Sequence, residues 1–193
     1  GQTAAISPSV SPSNTYNSAV SYASSNAGVA SVSASGVITA VKAGNATITV
    51  TTADGSNIAR TVAVTVKQYV SGLSLTSTSQ TIYVGSTTTV TANISPSDAS
   101  DKSLGYTSGD PSVASVNASG TITALKAGST VITVTALDRS TIKATLSLTV
   151  LQRATSLTIN NPIPILYTGE IHQITYSVLP SDSSNKAVSY AST

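Results

Sequence analysis

The sequence has no cysteine, methionine, tryptophan or phenylalanine, and a single histidine, in 193 residues. Without cysteine there can be no disulfide, no thiolate zinc site and no thiol nucleophile. Charge is also scarce: 8% of residues are charged, against roughly 25% in an ordinary soluble domain. The net charge is +2, and the nine Lys and Arg are scattered from Lys42 to Lys186. No basic stripe with interleaved aromatics forms, so nucleic acid is not an expected partner. No apolar run approaches the roughly 20 residues of a membrane span, and membrane insertion is not expected either. The chain opens "GQTAAIS", without initiator Met or signal peptide, as expected of a mature form or the ordered part of something longer.

What fills the space left by charge is hydroxyl. Ser (35) and Thr (30) together make 65 of the 193 residues, while 40% are hydrophobic. That hydrophobic share is too high for a disordered chain. Thr and Val favour strands and helix formers such as Glu are few, so the composition points to an all-β fold.

The chain also repeats itself. "GVITAVKAG" (36–44) returns as "GTITALKAG" (120–128), 84 residues later. At the same spacing Tyr22, Tyr106 and Tyr190 coincide, as do Pro12, Pro96 and Pro180, and Gly1, Gly85 and Gly169. "SVLPSDSSNKAVSYAST" (177–193) mirrors "NISPSDASDKSLGYTSG" (93–109). No gap is needed, and a fixed period of this kind signals tandem units.

Within the unit, apolar residues alternate with polar ones. Ile132 and Val134 share a face; so do Leu146, Leu148 and Val150; Val62, Val64 and Val66; Val90, Ala92 and Ile94; and Leu73 and Leu75. This period of two predicts half-buried antiparallel strands. Turn signals such as "SPSD", "SGDPS", "NASG" and "KAG" separate them at the spacing of an immunoglobulin-like sandwich.

The run "YTSGDPSVASVNASGTITALKAGSTVITVTA" (106–136) resembles the bacterial immunoglobulin-like group 2 domain. So does "YASSNAGVASVSASGVITAVKAGNATITVTT" (22–52) and, more weakly, 154–193. The family often carries Trp where Tyr22, Tyr106 and Tyr190 stand. The resemblance implies tandem Ig-like β-sandwiches that act as non-catalytic modules of bacterial surface proteins, adhesins, secreted enzymes or phage virions.

Three units are expected: 1–68, lacking its first strand; 69–152, complete; and 153–193, the opening part of a third. The joints "KQYVSG" (67–72) and "LQRATS" (151–156) are too short for flexible linkers, which favours a semi-rigid rod. Both ends fall inside a repeat, which fits a longer array or a missing strand donated by a neighbouring chain.

No catalytic, cofactor or metal residue is expected. His172 has Thr88 and Ala4 as repeat counterparts and reads as an exposed strand residue; with no other His in the chain, a Ser–His–Asp arrangement has little support. Asp98, Asp101 and Asp110 are close, but "SDASD" lacks the spacing of a calcium loop; Asp98 and Asp182 are expected to close Asx turns after the proline. Lys42 and Lys126 of "KAG" read as solvated hairpin residues beside a glycine of positive φ. The sequons at Asn45, Asn93 and Asn117 are chance patterns in a Ser/Thr-rich chain. Tyr22 and Tyr106 are expected to be largely buried, leaving Tyr16 and Tyr69 as the aromatic candidates for ligand contact. The expected role is a structural stalk or fibre module outside the cell, with neighbouring repeats or other copies as partners. The alternatives are a host- or glycan-binding adhesion module and a virion surface protein.

Overall fold

The computed structural model describes every residue except Asn14, Ser140, Pro164 and Thr193. The described residues form strands and turns, with no helix among them. The strands are β1 (Thr3–Ala5), β2 (Val20–Ser24), β3 (Ala30–Val32), β4 (Val37–Ala40), β5 (Gly44–Thr52) and β6 (Ala59–Val66). Then follow β7 (Gly72–Leu75), β8 (Ser79–Tyr83), β9 (Thr87–Thr89), β10 (Ala92–Ser95), β11 (Leu104–Ser108), β12 (Ala114–Val116), β13 (Thr121–Ala124), β14 (Gly128–Ala136) and β15 (Lys143–Leu151). The last two are β16 (Ser156–Ile159) and β17 (Tyr176–Leu179).

The chain divides into two compact units, residues 1–72 with 94–102, and residues 73–93 with 103–193. In the first, β2–β5–β6 and β1–β4–β3 each make a three-stranded sheet. The buried face joins Val29, Ala30, Ile38, Ala46 and Ile48, drawn from both sheets. In the second, the sheet β11–β14–β15–β8 faces the sheet β12–β13–β9 across a core containing Ile122, Ile132, Val134, Leu146, Leu148 and Val150. Two strands each make the ladders β7–β10 and β16–β17.

The alternation read from the sequence sets these faces. Ile132 and Val134 are fully buried in β14, and Leu146, Leu148 and Val150 in β15. β14 pairs antiparallel with both β11 and β15, whereas β8 pairs parallel with β15, Ser79 to Tyr83 lying along Ser147 to Leu151. The repeat is reproduced in register: Tyr22 stands opposite Val50 and Tyr106 opposite Val134.

Two expectations are corrected here. Val62, Val64 and Val66 do not form a closed inner face: Val62 is 41% exposed and the other two are half-buried. β6 pairs with β5 alone among the described residues, whereas β15 is flanked on both sides. Tyr22 and Tyr106 are half-buried rather than largely buried. Their rings lie at the margin of the core, over a glycine turn.

Candidate functional site

The repeated stretch "GxITAxKAG" is the first place to look for a site, and its residues are occupied by packing. Gly36 and Gly120 are buried, with φ of 79° and 78°. A side chain there would be strained by the backbone. It would also collide with the tyrosine: a Cβ on Gly36 would lie 2.8 Å from Tyr22 Cζ, and one on Gly120 2.9 Å from Tyr106 Cε1. The same peptides hold the neighbouring strand, with Ile6 N donating to Gly36 O at 2.9 Å and Val90 N to Gly120 O at 3.0 Å. The second glycine of the motif repeats the logic. A Cβ on Gly44 would meet Val29 Cγ2 at 2.9 Å, and one on Gly128 would meet Val113 Cγ2 at 3.0 Å. The backbone amides of Lys42 and Lys126 donate to the carbonyls of Val29 and Val113, while both lysines are exposed. The motif is a fold signature, and its lysines are solvated as expected.

The acidic residues belong to turns. Asp110 Oδ1 accepts from Ser112 N at 2.9 Å and from Ser112 Oγ at 2.6 Å. These bonds favour the ionised carboxylate and hold Asp110 below the usual carboxylate range. At the equivalent position of the first repeat Asn26 does the same work, its Oδ1 accepting from Gly28 N. A neutral amide serves as well as a carboxylate, so the turn does not require the charge. Asp54 is lowered in the same way by Ser56. No group of three or more His, Asp or Glu that could hold a metal ion forms among the described residues, so Asp98, Asp101 and Asp110 are not brought together as ligands.

The Asx turns expected at Asp98 and Asp182 are replaced by backbone turns: Ala99 N donates to Pro96 O at 3.1 Å and Ser183 N to Pro180 O at 3.0 Å. The amide an Asx turn would use is taken elsewhere, since Ser100 N donates to Gln68 O and Ser184 N to Gln152 O. His172 is also corrected. It lies outside any strand and is half-buried, its Nε2 3.0 Å from Asn161 Nδ2 and 3.1 Å from Asn161 O. Asn161 also accepts from Thr175 N and Oγ1 at its Oδ1. The histidine belongs to a loop-fastening cluster built around Asn161, and its ring hydrogen-bonds to Asn161 and not to a hydroxyl or carboxylate. Among the sequons, Asn117 Oδ1 accepts from Ser119 N and Thr121 N, and Asn45 Oδ1 from Thr65 Oγ1.

The aromatic candidates are exposed. Tyr16 is fully exposed and Tyr69 is 46% exposed. Tyr190 stands edge-on to Tyr176, with ring centroids 6.4 Å apart. Partial desolvation, with Tyr176 alongside, raises the pKa of the Tyr190 phenol.

An apolar groove of about 540 Å³ in the first unit is lined by Ile6, Val10, Val50, Ile58 and Val62. It lies where β7 and β8 cover the second repeat. There Leu73, Leu75, Ile82 and Val84 pack against the core. The groove's lining residues Ile6, Val50 and Val62 are the repeat counterparts of Val90, Val134 and Leu146, which lie in the core of the second unit, and among the described residues the lining offers no paired catalytic groups. What sequence reasoning missed lies at the joints, where Gln68 and Gln152 each bond to a serine of the following loop. The signal was present in the sequence, since Gln68/Gln152 and Ser100/Ser184 both recur at 84 residues.

Relatives carry the same module inside much longer chains. An uncharacterized protein of Clostridium acetobutylicum is 37% identical over 137 residues, covering 71% of this chain and 14% of that protein. An alpha-L-arabinofuranosidase of Bifidobacterium longum is 38% identical over 81 residues, covering 42% of this chain and 8% of the enzyme. The chain thus spans a small fraction of the curated relatives it matches. Among solved structures, the surface layer protein SbsC (domains 1–6) aligns with 74% of this chain and 21% of its own at 21% identity and a TM-score of 0.41. A C-terminal fragment of intimin, solved with the intimin-binding domain of its translocated receptor, aligns with 75% of this chain and 55% of its own at 16% identity and a TM-score of 0.39. The group 2 bacterial Ig-like domain model matches residues 1–67 and again 69–147. With its repeated glycine–tyrosine turns and all-β sandwiches, the chain belongs to the family of group 2 bacterial Ig-like domains.

Proposed function

We propose that the chain is a non-catalytic structural module, a stalk or spacer of an extracellular or cell-surface protein, built from repeats of the 1–68, 69–152 and 153–193 register. The observation that carries this reading is how the repeated stretch at 36–44 and 120–128 is used. Its glycines seat Tyr22, Tyr106, Val29 and Val113, and its lysines point to solvent. The residues that recur serve the fold and the joints. Those that could contact a ligand, Tyr16 and Tyr69, do not recur. Occurrence of the module within 8% of an arabinofuranosidase and 14% of a long uncharacterized protein fits a part that is combined with other domains. Neighbouring repeats or other copies of the chain are its natural partners, since Leu157, Ile165, Leu166 and Ile171 stay exposed in the third repeat.

The test is to excise residues 69–152, one full period, from the protein displayed on a cell. A spacer predicts that an epitope placed beyond it stays displayed but becomes less accessible to a bulky antibody. Saturable binding of a glycan or protein by the 193-residue chain, abolished by Tyr16→Ala or Tyr69→Ala, would establish the adhesion reading instead.

A further inference from the structure

The geometry points to a latch at each joint: the serine after the proline loop, Ser100 or Ser184, captures the peptide at Gln68 or Gln152 and holds the exit of one repeat against the entry loop of the next. At the first joint Gln68 N donates to Ser100 Oγ at 2.9 Å, and Ser100 N donates to Gln68 O at 2.8 Å. At the second, Gln152 N donates to Ser184 Oγ and Ser184 N to Gln152 O, both at 2.8 Å. Each pair forms a closed ring of two bonds, both donated by backbone amides and one of them accepted by a side-chain hydroxyl. The glutamine side chain then secures the next peptide. Gln68 Nε2 donates to Tyr69 O at 3.1 Å, and Gln152 Nε2 to Arg153 O at 3.0 Å. Three residues on, the joint is tied again: Ser71 N donates to Ser95 O at 2.8 Å and Thr155 N to Leu179 O at 2.7 Å.

The serine is not needed to make its own loop. In the first repeat the same turn forms, with Thr15 N donating to Pro12 O at 3.2 Å, yet Tyr16 stands at the serine position and is fully exposed. What distinguishes Ser100 and Ser184 is the joint peptide they hold. The packing contacts differ between the joints. Val70 is fully buried at the first, and its counterpart Ala154 is exposed. At the second, the Arg153 guanidinium lies 3.9 Å over the Tyr83 ring. The hydrogen bonds, with the glutamine–serine ring at their centre, are what both share. A peptide joint without it would expose its amides to solvent and its backbone to proteases.

The experiment uses the 193-residue chain and its Ser100→Ala and Ser184→Ala variants. Amide exchange is read at Gln68 and Gln152, and tryptic cleavage after Lys67, which is exposed at the mouth of the first joint. Ser100→Ala should speed exchange at Gln68 and cleavage after Lys67 by about two- to tenfold, the change expected on losing one net hydrogen bond. Gln152 should be unaffected. Ser184→Ala should do the reverse, speeding exchange at Gln152 alone. Ser100→Thr, which keeps the hydroxyl, should restore the wild-type rate at Gln68. Unchanged exchange at Gln68 in Ser100→Ala would overturn the latch. So would equal acceleration at core amides such as Ile132, which would assign the serine to general stability. The outcome is independent of whether the module spaces or binds.

Discussion

β6 and β15 occupy the same place in the repeat and meet different fates. Leu146 in β15 is 1% exposed, whereas its counterpart Val62 in β6 is 41% exposed. Their alternation is the same, and each pairs in register with the preceding long strand, Ile48 opposite Val62 and Ile132 opposite Leu146. The difference is a neighbour. β8 runs parallel along β15 from Ser147 to Leu151, and Leu73, Leu75, Ile82 and Val84 cover that core. Alternation decides which side chains face inward. Whether they are buried depends on a strand more than 60 positions away in the sequence.

The largest effect should come from breaking that contrast at its deepest point. Leu146→Ala is expected to destabilise the second unit by about 2–5 kcal/mol, the range for a buried Leu truncated in a packed core. Val62→Ala, at the same repeat position, should cost less than about 1 kcal/mol, since a half-open site has little burial to lose. Urea unfolding of the two variants, followed by probes local to each unit, checks the comparison. Equal losses would mean that β6 is as well covered as β15.

The glycine–tyrosine turn should behave alike in both units, because its contacts are local to each. Gly120→Ala forces a side chain into φ of 78° and into the Tyr106 ring, and about 2–3 kcal/mol is expected from the two effects together. Gly36→Ala should cost a similar amount against Tyr22. Thermal melts would show a much smaller loss if the ring could swing away.

Tyr106→Ala should cost about 2–3 kcal/mol, below the roughly 3–5 of a fully buried large aromatic, because the ring is half-exposed. In the Tyr106→Ala background, Gly120→Ala should lose its steric part and retain only its backbone part. A double-mutant cycle measures that coupling. Strict additivity would place the ring away from the glycine.

The smallest effect is electrostatic. Ser112 lowers the pKa of Asp110 in the folded chain. A depressed carboxylate contributes stability that is present above its unfolded pKa and lost as pH falls through the folded one. That window lies at and below the ordinary Asp value of 3.8. An NMR titration should find Asp110 titrating below that value, and Ser112→Ala should move it back up. At neutral pH the stability of wild type should show no pH dependence from this group. Asn26, its uncharged counterpart, contributes no such loss to the first unit, where the lowered carboxylate is Asp54 instead.

The sequence by itself determined the all-β class, the 84-residue period, the inward faces of β14 and β15 and the glycines of the repeated turn. Each of these follows from local chemistry: strand alternation has a period of two, and a buried positive-φ turn admits only glycine. It also carried the family, because the glycine–tyrosine and lysine–glycine spacings are properties of one continuous stretch. Only the tertiary structure decided what came from across the fold. It left Tyr22 and Tyr106 at the core's edge, because their rings rest on a turn. It drew His172 into the Asn161 cluster, because that loop does not join a sheet. It gave the Ser100 and Ser184 amides to Gln68 and Gln152, so that no Asx turn could form at Asp98 or Asp182. A backbone amide has one hydrogen to donate, and local sequence names the candidates for it. Which of them receives it is settled only when distant segments are brought within about 3 Å.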